Sequence, residues 1–309
     1  MQQMVLITGG TGMVGQKLST FLHGKGYNIT ILTRKPGNTK KSEHVRYAEW
    51  DIKKQSIDIP AVQNTDHIIH LAGAGVMDKR WTDSYKNEIL LSRTMSSKLL
   101  IDTLNQYPNK VRSIISASGI GWYGKDKENI KYFIETDPPA NDFLGQTCFS
   151  WEESISMPTK NNIRVCKLRT GIVMANEGGA LQEFKKPLGF GIAAILGSGK
   201  QMTSWIHIDD LCRLYLYAIE NTRMIGSFNA VSDKPVTNKF LTLNLAKLLR
   251  GKFVIPLHVP SIVLKVVMGD SSIEVLKSTS VSNQKLKQTG FTFQFAELET
   301  ALKDLVNRS

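Results

Sequence analysis

The sharpest chemical signal lies near the start of the chain, in Gly9-Gly10-Thr11-Gly12-Met13-Val14-Gly15. It reads as Gly-x-x-Gly-x-x-Gly (Gly9, Gly12, Gly15) or as Gly-x-Gly-x-x-Gly (Gly10, Gly12, Gly15). Glycine at such spacing lets the backbone take positive φ and touch a diphosphate, and the last glycine lets a helix pack close to a strand. The run follows the apolar segment Met4-Val-Leu-Ile-Thr8 and opens an amphipathic stretch from Met13 to Lys25. A helix N-terminus there presents free N–H groups and partial positive charge to an anion. Gly9, Thr11, Gly12, Met13, Val14 and Gly15 are therefore the expected phosphate-binding residues.

The end of the next strand, Asn28 to Thr33, selects among dinucleotides. An acid there holds a ribose 2′-hydroxyl, whereas an arginine grips a 2′-phosphate bidentately. The chain has Thr33-Arg34 and no Asp or Glu before Glu43, so NADP(H) is the expected cofactor, with Lys35 assisting. Asp51, after the third strand, is a candidate acceptor for the adenine amino group; the competing reading is a surface cap. Leu71, Ala72 and Gly73 follow the fourth strand, where small residues let the backbone lie against the adenosine and ribose. Ser116, on the fifth strand, is also assigned to the cofactor side.

These residues need a frame. Apolar, β-branched runs at 4–8, 28–33, 45–50, 67–72, 111–117 and 165–169 read as buried strands. Helical spacing falls at about 13–25, 82–107 and 142–157. Alternating strands and helices give βαβ units, hence an α/β chain with a Rossmann-like, doubly wound parallel sheet. The expected NADP-binding core is 1–175, completed by about 204–232. Residues 176–203, interrupted by Gly178, Gly179, Gly189, Gly191, Gly197 and Gly199, read as an excursion with mobile loops. With 233–309 they form a smaller, mainly helical substrate-side region. Trp205 to Asp210 is expected to open a helix running to about Glu220, capped by Asp209 or Asp210. Phe253 to Pro256 is strand-like but interrupted by proline.

Composition narrows the function class. The chain has 309 residues, 41% hydrophobic, with 39 Lys and Arg against 27 Asp and Glu, a net charge of +12. The basic residues are scattered in short runs (Arg34-Lys35, Lys40-Lys41, Lys53-Lys54, Lys185-Lys186) without interleaved aromatics. That pattern fits a solvated surface and a small anionic ligand, not a nucleic-acid partner. Cys148, Cys166 and Cys212 are too few and too widely spaced for a disulfide framework or a zinc site, so no metal is expected and a reducing compartment is. No apolar stretch is long enough to cross a bilayer and the N-terminus lacks a basic leader, so a cytoplasmic location without membrane contact is expected.

The glycine run, His70-Leu-Ala-Gly-Ala, Ser116-Ala-Ser118 followed by Trp122-Tyr-Gly, and Trp205-Ile-His-Ile-Asp-Asp-Leu together resemble the extended short-chain dehydrogenase/reductase superfamily, in its nucleotide-sugar epimerase/dehydratase group. Thr33-Arg34-x-Pro36, Ser92-Arg93, Phe143-Leu144 through Trp151-Glu152, Leu168 to Val173 and Gly290-Phe-Thr-Phe with Ala301-Leu302 resemble more narrowly the branch called epimerase family proteins. That resemblance implies a short C-terminal domain at about 250–307. It also implies a Tyr-x-x-x-Lys pair on the helix after the fifth strand, with a serine that hydrogen-bonds the substrate oxygen. Ser118 fits the serine position, but the tyrosine and lysine positions fall on Leu144 and Cys148, so the dyad is absent. The Tyr123…Lys127 match lies in a loop without helical register; Tyr123 stays a candidate acid or stacking group. The expectation is an NADP(H)-dependent, epimerase-like oxidoreductase acting on a small polar substrate through Ser118 and Tyr123 or water. The alternative is a non-catalytic NADP(H) sensor. Arg80, Trp81, Lys200, Gln201, Trp205 and His207 are candidate substrate-lining residues, each with a plain reading as solvated cation, core aromatic or satisfied core histidine.

Overall fold

The computed structural model describes residues 2–38, 45–251 and 253–308. Lys40, Lys41 and Glu43 lie outside the described residues. The first unit is β1 (Met4–Thr8), α1 (Met13–His23) and β2 (Asn28–Thr33). Then come β3 (Val45–Asp51), β4 (Ser56–Ile57), α2 (Ile59–Gln63), β5 (His67–His70), the long α3 (Asp83–Gln106) and β6 (Ser113–Gly119). After β6 follow α4 (Phe143–Ile155), β7 (Arg164–Thr170) and β8 (Ile172–Met174).

One eight-stranded sheet has the order β12-β7-β6-β5-β1-β2-β3-β4, where β12 is Gly226–Ala230. Every pairing in it is parallel except β3 with β4. The chain leaves β1 toward β2 on one side and returns to β5 on the other. The loops after β1 and β5 therefore part at a switch point, where a parallel sheet opens a crevice. Both faces of the sheet are covered, which is why the strands are continuously apolar. Val5, Ile7, Ile31, Ile69, Ile115 and Leu168 pack with α1 and with α6 (Ile208–Glu220) on one face. Leu6, Leu32, Ile68 and Ile114 pack with Leu99, Leu100 and Leu104 of α3 and Ile155 of α4 on the other.

Residues 176–203 are more regular than their glycines suggest. They hold α5 (Ala180–Leu188), β9 (Ile192–Leu196) and β10 (Met202–Thr203). β11 is Trp205–His207 and pairs in parallel with β8, so the first three of the residues expected to open a helix form a strand, and the helix opens at Ile208 and runs to Glu220. Next come β13 (Val236–Thr237), α7 (Asn238–Arg250) and β14 (Ile255–Val259), the last pairing in parallel with β9 despite Pro256. The chain ends with α8 (Ser261–Met268), α9 (Ser272–Leu276), α10 (Gln284–Gln288) and α11 (Leu298–Asn307).

The expected cap of α6 was also misplaced. His207, not an aspartate, caps it, its Nδ1 accepting from Asp209 N–H at 3.1 Å. Asp210 instead accepts from the backbone of Gln294 and Phe295, and Asp209 pairs with Lys17 and Arg308.

Candidate functional site

The glycines of the first turn divide by what surrounds them. Gly9 has φ +67°, and a Cβ there would stand 2.8 Å from the carbonyl carbon of Leu71. A Cβ on Gly10 would meet Ile31 at 2.7 Å, and one on Gly15 would meet the Cα of Gly10 and the oxygen of Gly9 at 2.5 Å. Internal packing alone demands these three. Gly12 differs: the nearest atom to its Cβ would be Gly9 O at 3.4 Å, and beyond that the space is open. It stands at the N-cap of α1 with ordinary extended backbone and no side-chain cap. The N–H groups of the first helical turn therefore face the crevice with no acidic residue among them. Met13 reaches across to Gly178 and Gly179, within 3.6 Å of the Cβ positions there.

On the adenosine side, Arg34 is exposed just beyond β2. Thr33 Oγ1 accepts weakly from Lys35 N–H at 3.5 Å. The register sets Glu49 of β3 opposite Thr33, so a carboxylate stands one strand away where the linear sequence showed none. Asp51 takes the surface-cap role: its Oδ1 accepts from the N–H groups of Lys53 and Lys54 at 2.9 and 3.2 Å.

The loop after β5 is held from both sides. Thr8 Oγ1 accepts from the N–H groups of Leu71 and Ala72 and meets His70 Nδ1 at 2.8 Å. Burial pushes the His70 imidazole down to about 3, so it is neutral, and its other nitrogen meets Ser97 at 3.2 Å. From α3, Ser92 Oγ accepts from Ala74 N–H at 2.9 Å, and Arg93 donates to the Ala74 carbonyl at 3.0 Å. Ser92-Arg93, noted above only as a pair, thus shapes the Leu71–Gly75 loop. Ser116 is fully buried and donates to the Ala117 carbonyl, which takes it out of the cofactor surface.

Neither expected proton-transfer hydroxyl is free. Ser118, 5% exposed, donates to Glu152 Oε1 at 2.7 Å. Arg169 engages the same carboxylate through two bonds of 2.7 and 3.1 Å, and Ser227 donates to Oε2 at 2.7 Å. Burial pushes the Glu152 carboxyl up, but Arg169 and the two serines outweigh it and hold the group below its ordinary range. Arg169 also donates to the Tyr123 hydroxyl at 3.0 Å, and its guanidinium carbon lies over Trp122, 3.6 Å from the ring centre. Tyr123 donates in turn to Asn229 Oδ1 at 2.6 Å, and burial raises its pKa. Ser118 and Tyr123 are thus two ends of one buried ionic network under the sheet edge. Both hydroxyls are committed to buried partners in this structure.

The six substrate candidates do not come together. Arg80 donates to the carbonyls of Val266 and Val267, closing the C-terminus of α8. Trp81 lies edge-on to Phe143, its indole N–H on the Val76 carbonyl. Gln201 is buried and donates to the carbonyls of Leu196 and Val275. Trp205, also buried, donates to Lys234 O. His207 is fully buried, 3.9 Å from the Phe295 ring, and faces Asp304 at 3.4 Å. Gln201 and Trp205 take the core reading; His207 is in the core but not satisfied, its Nε2 having no hydrogen-bond partner among the described residues. Only Lys200 of the six is exposed with no side-chain partner among the described residues. A surface cavity of about 340 Å³ beside Val236, Phe240 and Leu298 shares no lining residue with the glycine turn. Among the described residues no cluster of three or more His, Cys, Asp or Glu can hold a metal, and no helix is long and apolar enough to cross a membrane.

Comparison with known proteins fits this architecture. Residues 5–148 match the NAD dependent epimerase/dehydratase family, and 259–305 match a domain of unknown function, DUF1731. Epimerase family protein SAR0825 of Staphylococcus aureus is 35% identical over 98% of this chain and 99% of its own length. The chain belongs to this epimerase family. Epimerase family protein SH2119 of Staphylococcus haemolyticus is 34% identical, with 98% of each chain covered. The crystal structure of human epimerase family protein SDR39U1 with NADPH superposes with a TM-score of 0.86 at 26% identity, over 99% of this chain and 100% of that one. A nucleoside-diphosphate sugar epimerase from Corynebacterium glutamicum gives 0.77 at 26% identity, over 99% of this chain and 59% of the other. The fold is the NAD(P)-binding fold of the epimerases and dehydratases.

Within that fold, α4 is the helix on which the resemblance places a tyrosine and a lysine. Here Leu144 packs against Gly121, and Cys148 Sγ lies 3.7 Å from where a Gly119 Cβ would stand. Burial pushes the Cys148 thiol up to about 11, so it is neither a cation nor a thiolate near neutral pH. Tyr123 ends a short 3₁₀ turn and Lys127 lies beyond Gly124, so the Tyr-x-x-x-Lys match in the loop has no helical register.

Proposed function

We propose that this family member binds NADP(H) and transfers hydride between it and a small polar substrate, without a tyrosine–lysine proton relay. The observation that carries the reading is Gly12: three glycines of the turn are required by the protein's own packing, and this one guards open space at a helix N-terminus. A diphosphate is the group that such a cradle fits. Gly12, Thr11, Met13 and Val14 would hold it by backbone N–H groups, and Arg34 would select the 2′-phosphate. The human relative crystallised with NADPH supports the same reading. The bound nicotinamide would supply the hydride chemistry; the protein's share is orientation and exclusion of water.

A second reading, an NADP(H)-binding sensor without turnover, is favoured by one observation: the hydroxyls of Ser118 and Tyr123 are both committed to buried partners. Calorimetry with NADPH and NADH tests binding. Incubation of 4-deuterated NADPH with a panel of carbonyl compounds tests turnover. Deuterium in any product supports the oxidoreductase, while tight binding with no label transferred across the panel supports the sensor. No heat with either dinucleotide defeats both.

A further inference from the structure

Among the described residues Arg93 is a charge without a counter-charge. Its neighbours one helical turn away on α3 are Ile89, Leu90, Ser96 and Ser97, none of them acidic. It forms no ion pair among the described residues. Nη1 donates to the carbonyls of Ile89 and Ala74 at 2.9 and 3.0 Å. Nε and Nη2 have no acceptor among the described residues. The guanidinium carbon lies 5.0 Å from the Trp151 ring centre. Burial pulls its pKa down, with no carboxylate to restore it. A largely desolvated cation left in this state is costly unless a ligand completes it.

Its position says which part of a ligand would do so. A Cβ on Gly73 would stand 2.9 Å from the guanidinium carbon and 3.2 Å from Nε, so the loop after β5 runs directly over the group. Trp151 of α4 also lies against the guanidinium. Arg93 therefore lies at the β5–β6 side of the glycine turn, and Arg34 lies at the β2 side, with β1 between them in the sheet. A dinucleotide with its diphosphate at Gly12 and its adenosine at Arg34 must send its other half toward Arg93.

Resting on the dinucleotide reading above, we propose that Arg93 receives the nicotinamide half, with Nε and Nη2 donating to the two hydroxyls of that ribose. The two adjacent N–H groups on one edge of a guanidinium match a pair of vicinal oxygens, which a point-charge ammonium cannot do. Cys148, at the position where the resemblance places a lysine, cannot supply that charge; Arg93 enters the same region from α3.

The test compares two ligands by calorimetry. NADPH reaches both halves of the site, whereas adenosine 2′,5′-bisphosphate ends at the 5′-phosphate. Arg93→Gln should weaken NADPH about tenfold or more and leave the bisphosphate within about twofold. Arg93→Lys should recover part of the loss. Arg93→Met, which removes the charge and keeps an unbranched side chain, should show the same pattern as Arg93→Gln and serves if that variant does not fold. NADPH binding by Arg93→Gln as tight as in the parent protein overturns the proposal, as does equal weakening of both ligands. If the parent protein binds neither ligand, the dinucleotide reading itself has failed, and this proposal with it.

Discussion

Exchanging two glycines of the same turn should separate fold from ligand. Gly15→Ala places a methyl 2.5 Å from Gly10 Cα and 2.5 Å from Gly9 O, both backbone atoms that cannot swing aside. Overpacking of that kind costs about 1–3 kcal/mol. At roughly 2–4 °C per kcal/mol for chains somewhat shorter than this one, the melting temperature should fall by roughly 2–12 °C. Gly12→Ser meets nothing closer than 3.4 Å and keeps an N-cap backbone of φ −78° and ψ 171°, where serine is preferred. Its hydroxyl can accept from the next turn, for a gain of a few tenths of a kcal/mol, so the unliganded protein should melt at or slightly above the parent temperature. The same side chain fills the space assigned to the diphosphate. NADPH affinity should drop about 100-fold, equivalent to about 2.7 kcal/mol. Melting of the ligand-free proteins and calorimetric titration with NADPH read the two effects independently. The reasoning is refuted if Gly12→Ser melts as low as Gly15→Ala, or if it melts normally and still binds NADPH as tightly as the parent.

Arg34→Ala should weaken NADPH about tenfold or more, as expected for a lost charge-assisted pair, and NADH less than about twofold; equal losses would remove the 2′-phosphate contact. Glu152→Gln leaves the Arg169 guanidinium, 2% exposed, without its anion and should cost about 3–5 kcal/mol in urea unfolding, with normal stability as the contrary result. Because the folded pKa of Glu152 is depressed, its stabilisation is complete above its unfolded pKa of about 4.3 and is lost as pH falls through the folded value, so that acid-dependent component should vanish in Glu152→Gln. Burial holds His67 down to about 4 and His70 to about 3. The unfolded chain therefore takes up protons below about pH 6.5 that the fold refuses, and stability should fall by up to about 1.4 kcal/mol per pH unit for each histidine; urea midpoints that do not move between pH 7.5 and 5.5 would contradict this.

What the sequence disclosed and what it concealed differ by the distance between partners. The glycine turn, the strands flanking it and the parallel sheet were legible because apolar runs and turn chemistry are local. The glycines of 176–203 misled because they mark ends, not disorder: Gly179 at φ +68° precedes α5, and Gly191 and Gly197, at φ +75° and +55°, bracket β9. Phe253 to Pro256 read as a strand that its proline interrupts, but β14 runs through Pro256 because a two-stranded pairing leaves one edge free, where a missing N–H does no harm. Trp205 and His207 were open to a cleft reading beside the plainer core one. The groups that decide, Lys234 O for Trp205 and Phe295 and Asp304 for His207, lie far along the chain. Ser118 matched its motif position, yet its role is set by Glu152 on α4. Tyr123 is likewise set by Arg169 and Asn229 on two further strands. Arg93 left one usable trace, a helical arginine with no acid a turn away.

The buried network also bears on where chemistry can occur. Ser118, Glu152, Arg169, Tyr123 and Asn229 tie β6, α4, β7 and β12 together, so any displacement of one hydroxyl toward a ligand would break a bond to a desolvated charge. Breaking such a bond costs more than a typical hydrogen bond returns. These residues are better suited to fixing the sheet edge than to exchanging protons. At that edge Gly119 and Gly121 face Cys148 and Leu144, and Arg93 closes the side toward β5. An arginine stays protonated and a thiol pushed up to about 11 holds its proton, so neither relays protons near neutrality. If hydride transfer takes place there, the accompanying proton must come from water or from the substrate itself, and the protein acts by placement and by positive charge. That is a weaker catalytic apparatus than a tuned acid. It leaves cofactor binding as the property that the geometry supports most directly.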